Sequence, residues 1–181
     1  MTPSKKTLKK LSKIKLLATD VDGVLTDGGM YYGEDGVEQK KFSTRDGMGL
    51  SLLKNAGIIT AVITSEQTKI VKQRAGKLKI KELHQGIHNK IEVLDKIRTK
   101  YSLKWFEIAY IGDDINDLEV MEQVGFAVTP ADGSKWNKKR AHFITDKNGG
   151  EGCVRELCDM ILEAKKIDDD IFLLYKNQKV I

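Results

Sequence analysis

From residue 16 onward, short runs of aliphatic and β-branched residues alternate with amphipathic stretches, and few architectures accommodate such an alternation. Residues 15–20 (KLLATD), 58–64 (IITAVIT) and 107–112 (EIAYIG) are apolar at nearly every position, as strands buried on both faces are. Shorter strands are expected at 82–84, 126–128 and 142–145. Helices are expected over 46–56, ending at Gly57, and over 66–78, 88–101 and 116–124. Val154, Leu157, Cys158, Ile161 and Leu162 fall on one helical stripe, which predicts a core-facing helix. Residues 28–42 are polar around Gly33-Glu34-Asp35-Gly36 and read as a β-hairpin. Strand and helix in alternation predict an α/β fold, a Rossmann-like, doubly wound parallel sheet covered on both faces.

A chain of 181 residues with 40% hydrophobic content suits one well-buried domain. Its net charge of +5 is local: residues 1–19 carry six lysines and no acid, and the remainder sums to −1. The expected organisation is a basic, solvated N-terminal arm (1–15), a core (16–165) with the hairpin at 28–42, and a C-terminal tail (166–181). The tail opens with Asp168-Asp169-Asp170 and turns apolar at 171–175. No run approaches the roughly 18 apolar residues that cross a bilayer, and no signal peptide is evident. Cys153 and Cys158 read as reduced and buried, so a cytoplasmic location is expected, with neither nucleic acid nor membrane as partner.

The strongest motif, Asp20-Val21-Asp22-Gly23, follows the first strand directly. In an open α/β sheet the carboxyl ends of the strands line the ligand crevice. Two carboxylates two residues apart there repel each other unless a cation intervenes, and they suit a division into nucleophile (Asp20) and proton-transfer group (Asp22). Gly112-Asp113-Asp114-Ile115-Asn116-Asp117 brings three more carboxylates to the same edge. An acidic helix cap explains one of them, but clustered carboxylates are what a hard, octahedral cation requires. Thr64 ends another strand at that edge, and Lys90 opens a helix.

The order Asp-x-Asp, Thr, Lys, Gly-Asp-Asp resembles the four-motif signature of the haloacid dehalogenase superfamily of phosphatases, matched from Leu16 to about Lys165. The resemblance implies Mg2+-dependent hydrolysis of a phosphomonoester through an aspartyl phosphate on Asp20, with Asp22 as general acid and base. It further implies phosphate-binding roles for Thr64 and Lys90, metal ligation by Asp20, Asp22 through its carbonyl and Asp113, and support of the metal site by Asp117. Only fifteen residues fill the first cap position, and about 25 separate Thr64 from Lys90, so the chain is identified as a capless member.

Gly23-Val24-Leu25-Thr26-Asp27-Gly28, Arg45-Asp46-Gly47 and Gly149-Gly150 resemble the branch acting on eight- and nine-carbon ulosonate phosphates. That likeness implies a homotetramer in which neighbours help close each site, and substrate contacts from Arg45, Gly149 and Gly150. Eight-carbon members typically read Thr-Gly-Arg and Gly-Gly-Arg-Gly where this chain has Thr64-Ser65-Glu66 and Gly149-Gly150-Glu151-Gly152. Glu66 and Lys77 instead resemble a pair in the nine-carbon enzymes. The expected substrate is accordingly a 2-keto-3-deoxy-nonulosonate (KDN or N-acylneuraminate) 9-phosphate. The alternatives are 3-deoxy-D-manno-octulosonate 8-phosphate and, from another class, a non-catalytic partner of a sugar-nucleotide enzyme. His84, His88 and His142 share no ligand spacing and read as structural, while Trp105 and Trp136 read as packing residues.

Overall fold

A computed structural model describes residues 4–34, 36, 38–167 and 171–176. Its central strand β1 (Leu16–Thr19) has all four residues buried and pairs in parallel with two neighbours. On one side lies β4 (Ile59–Ile63), in register Leu16 to Ile59, and on the other β6 (Ile108–Ile111), in register Leu16 to Ile108. Beyond them stand β5 (Glu82–His84), β7 (Phe126–Thr129) and β8 (Phe143–Ile144), giving a six-stranded parallel sheet in the order β5-β4-β1-β6-β7-β8. The order reverses beside β1, so a crevice opens at the carboxyl end of that strand.

Side chains alternate across the sheet, which divides the core into two layers. Leu17 points to one face and packs among Leu50 and Leu53 of α2 (Thr44–Asn55) and Val154, Leu157 and Ile161 of α7 (Cys153–Ala164). Leu16 and Ala18 point to the other, among Leu94 and Ile97 of α4 (Lys90–Lys100) and Val120 of α5 (Leu118–Gln123). Each fully buried leucine, valine or isoleucine stabilises the fold by about 1.5–3 kcal/mol. Cys153 and Cys158 are free thiols inside the first layer.

The hairpin is slight: β2 (Tyr31–Tyr32) and β3 (Glu38–Gln39) pair antiparallel, closed by Gly36 N–H donating to Gly33 O and prolonged by a bridge between Thr26 and Phe42. The expected turn includes Asp35, which lies outside the described residues, as do Asp168-Asp169-Asp170 of the tail.

Three local expectations are corrected. The N-terminal segment is not simply a solvated arm: residues Lys5–Leu11 form α1, capped by Ser4, and Leu11 and Ile14 are buried against the α2–α7 layer. The lysines of α1 occupy its outer face, which is why the charge pattern concealed the apolar one. The helix expected over 66–78 is α3 (Lys69–Leu78), because Thr68 accepts a hydrogen bond from Val71 N–H and caps it there. Trp136, in α6 (Lys135–Arg140), is 42% exposed between the ammonium groups of Lys135 and Lys139 rather than packed. Part of the tail forms α8 (Ile171–Lys176), which leans on the core through Ile171 and Leu174. No described helix is long and apolar enough to cross a membrane.

Candidate active site

The carboxyl ends of β1, β4 and β6 deliver the singled-out residues to one place. Asp20 follows β1 and its N–H donates to Ile111 O of β6, which anchors it across the sheet. Gly23, at φ +76°, turns the chain back beneath the carboxylates, and a Cβ there would collide with the Asp113 carboxylate. The Asp20-to-Asp27 loop is supported from below by Gly149 and Gly150. Gly150 N–H donates to Val24 O, and a Cβ on either glycine would strike the loop's backbone at Gly23 or at Thr26 and Asp27. Both glycines are buried beneath the motif rather than lining the cleft.

Lys90 enters from the first turn of α4 with its side chain out of solvent. Its Nζ lies 2.9 Å from Asp20 Oδ2 and 2.7 Å from Asp117 Oδ1. Burial works against its charge, but Asp20 and Asp117 hold it protonated above the usual lysine value. Asp117 is saturated: Oδ1 also accepts from Tyr110 Oη at 2.6 Å, and Oδ2 accepts from the N–H groups of Asp113 and Asp114. It therefore orients its neighbours. Asp20, Asp113 and Asp117 each offer an oxygen, all within 4.8 Å of one another. With Asp117 saturated, the oxygens left facing the cleft are those of Asp20 and Asp113.

Those two groups carry unbalanced negative charge. Burial, then the charge of Asp117, raises Asp20 from 3.8 to about 7 in spite of Lys90. Burial, then Asp20 and Asp117, raises Asp113 from 3.8 to about 8. A small, hard divalent cation held by carboxylate oxygens would relieve both, so the donor set fits such an ion. The cleft above them, of about 620 Å³, is lined by Asp20, Asp22, Thr64, Ser65, Glu66 and Asp113 among others.

Thr64 is buried at the end of β4, where its hydroxyl accepts from Glu66 N–H at 3.3 Å. Ser65, standing where the family pattern has glycine, does not adopt a left-handed backbone. Its hydroxyl donates to Ile87 O and accepts from Asn116 Nδ2, tying the β4 and β6 loops together. Glu66 lines the cleft, whereas Lys77 is an exposed residue in the last turn of α3 and the two form no ion pair. Arg45 lines a different cavity, of about 710 Å³, with Lys147, Arg155 and Glu151. His142 stacks on Phe126 and accepts from Ala127 N–H.

Two polar residues of the site escaped the sequence reading. Tyr110 sits wholly buried in β6, and a tyrosine in an otherwise apolar strand signals a hydroxyl with a partner nearby. Lys40 reaches in from the hairpin to Asp22 and Glu66, at 2.6 and 2.7 Å. Nothing in the local sequence distinguishes Lys40 from Lys41, whose ammonium instead approaches Asp27.

Comparison with known proteins gives a concordant picture. Residues 75–157 match the family model described as haloacid dehalogenase-like hydrolase. The chain is 41% identical over 161 residues to the 3-deoxy-D-manno-octulosonate 8-phosphate phosphatase KdsC of Salmonella typhi, covering 88% of this chain and 86% of that protein. The Yersinia pestis enzyme of the same name is 40% identical, over 87% and 84%. Among solved structures, the 3-deoxy-D-manno-octulosonate 8-phosphate phosphatase of Moraxella catarrhalis, in complex with magnesium, phosphate and KDO, superimposes with a TM-score of 0.92. It is 37% identical, over 96% of this chain and 99% of that one.

Proposed function

The chain belongs to the haloacid dehalogenase-like hydrolases and is a phosphatase, and we propose that it hydrolyses 3-deoxy-D-manno-octulosonate 8-phosphate. The observation that carries the substrate is the likeness, along nearly the whole chain, to enzymes named for that reaction, one of them solved with the sugar acid and magnesium. The nine-carbon acid expected from Glu66 and Lys77 is less well supported. Glu66 is engaged by Lys40, and Lys77 lies outside the cleft-lining residues.

The residues divide the work as follows. Asp20 attacks phosphorus in line with the departing sugar oxygen and becomes the aspartyl phosphate. Lys90 stands beside Asp20 and neutralises charge where two anions must meet. Asp22, two residues on at the cleft edge, gives a proton to the sugar oxygen and then takes one from the water that cleaves the aspartyl phosphate. The Thr64 hydroxyl and the N–H groups that follow it hold phosphoryl oxygens. Mg2+, held by Asp20, Asp113 and the Asp22 carbonyl, supplies further charge neutralisation when bound. Asp117 and Tyr110 keep Lys90 in place.

The exposed Met30, Tyr31 and Tyr32 of the hairpin and Phe172, Leu173 and Tyr175 of α8 support subunit contacts, which fits a homotetramer. Two reduced thiols fit a cytoplasmic home. Phosphate release with Mg2+ from eight- and nine-carbon ulosonate phosphates, with common sugar phosphates as controls, tests the proposal. The highest kcat/KM is expected on the eight-carbon 8-phosphate. A preference for a nine-carbon 9-phosphate would reinstate Glu66 and Lys77 as substrate groups.

A further inference from the structure

We infer that Lys40 is a positioning residue: reaching in from the hairpin, it holds the Asp22 carboxylate turned toward the leaving oxygen and locks the hairpin to Glu66. The inference rests on the phosphatase reading and adds a residue to it. Asp22 has little else to orient it. Lys40 Nζ lies 2.6 Å from Oδ1, and the Thr26 hydroxyl donates to that same oxygen at a long 3.4 Å. Among the described residues no hydrogen bond reaches Oδ2, and Asp22 lines the cleft. With Oδ1 held, Oδ2 is the oxygen presented to a departing group.

The grip on the hairpin has the same source. The Lys40 side chain is shielded from solvent, and its ammonium also lies 2.7 Å from Glu66 Oε2 and 3.4 Å from Glu38 Oε1. Charge-assisted contacts of this length to two strand ends are strong anchors. The rest of the hairpin is held by strands of two residues, the Thr26–Phe42 bridge, and the longer contacts of Tyr31 Oη and Lys41 Nζ to Asp27, at 3.5 and 3.4 Å. One side chain thus sets the Asp22 orientation and ties the hairpin to the ends of β1 and β4. Glu66, at a position where eight-carbon members of the branch typically carry arginine, serves here as its counter-charge.

The test exploits the leaving group. An alkyl phosphate such as the ulosonate 8-phosphate needs a proton on its departing oxygen, whereas the phenolate of p-nitrophenyl phosphate leaves without one. Turnover of both is measured with Mg2+ for the native protein, Lys40→Met and Lys40→Arg, with circular dichroism to confirm folding and Lys40→Gln as a second variant. Lys40→Met is expected to lower kcat/KM by about 10-fold or more on the alkyl ester and several times less on the aryl ester, since general acid catalysis contributes about 10²–10⁴-fold. The value of kcat/KM reports the step that expels the leaving group and not the later hydrolysis common to both esters. Lys40→Arg should recover most of the loss. Equal losses on both esters, or none on the alkyl ester, overturn the role. A native protein that releases no phosphate from either ester overturns the phosphatase reading and this role with it. If it accepts the aryl ester but not the ulosonate, only the substrate proposal fails, and the same ratio on the alkyl phosphate it does accept decides Lys40.

Discussion

The Lys90 ammonium lies 2.9 Å from the Asp20 carboxylate, with the lysine side chain wholly out of solvent. A buried cation in that position both stabilises the empty fold and lowers the barrier to attack on a phosphate dianion. Removing one member of a buried ion pair costs about 3–5 kcal/mol, because its partner stays behind uncompensated. Lys90→Met should therefore lower the melting temperature markedly and reduce kcat by about 10²-fold or more. Calorimetry and steady-state kinetics on one preparation would separate the two effects, and a near-native kcat would count against Lys90 as a charge-neutralising group.

Asp20→Asn should abolish turnover while the protein still folds, because asparagine matches aspartate in shape and removes a charge that burial already disfavours. Retained phosphatase activity in this variant would remove Asp20 from the nucleophile's role.

The raised carboxylates make stability depend on pH. For Asp113 the folded value of about 8 exceeds its ordinary 3.8, so the folded protein holds that proton more tightly than the unfolded chain does. Its contribution to stability is complete below 3.8, declines as pH rises and is gone once pH passes about 8. Asp20 acts in the same direction. Without divalent cations the melting temperature should fall between about pH 5 and about pH 8, and Mg2+ should raise it more at the alkaline end. Asp113→Asn should flatten the profile. A melting temperature that climbs with pH across that window would contradict the unbalanced-charge account.

Gly149→Ala places a methyl group against the Gly23 carbonyl, backbone against backbone. Overpacking of this kind costs about 1–3 kcal/mol. Here it should also displace the Asp20-to-Asp27 loop, so kcat should fall more than stability alone explains. Chemical denaturation beside kinetics would reveal that excess.

Tyr110→Phe deletes one of two donors to Asp117 Oδ1. The loss should be about 1 kcal/mol, within the usual range for a hydrogen bond to a group that keeps another partner. A modest fall in kcat is expected, since Lys90 is then left as the sole partner of Asp117 Oδ1 while Oδ2 keeps its two backbone donors. A large loss of activity at unchanged stability would mean that Tyr110 does more than orient Asp117.

Much of this was legible in the chain itself. Asp20, Thr64 and Asp113 follow apolar runs, and a parallel sheet carries every such run to one edge, so their convergence needed no coordinates. What escaped depends on contacts between distant positions. Lys40 meets Glu66 26 residues away, and only the path of the hairpin distinguishes it from Lys41. Glu66 and Lys77 are eleven residues apart, but the helix between them begins at Lys69 and carries Lys77 away from the cleft. The burial of Leu11 and Ile14 was masked by six lysines that dominate any average over the segment.

The nucleophile follows a strand hydrogen-bonded on both sides, while Lys40 follows a strand of two residues. Amides of β1 should be among the slowest in the molecule to exchange with deuterium, and those of the hairpin among the quickest. Opening of the hairpin can then proceed while Asp20, Lys90 and Asp113 stay in place. The setting of Lys40 and that of the nucleophile become separable, the first lost in a local fluctuation and the second only when the whole domain opens.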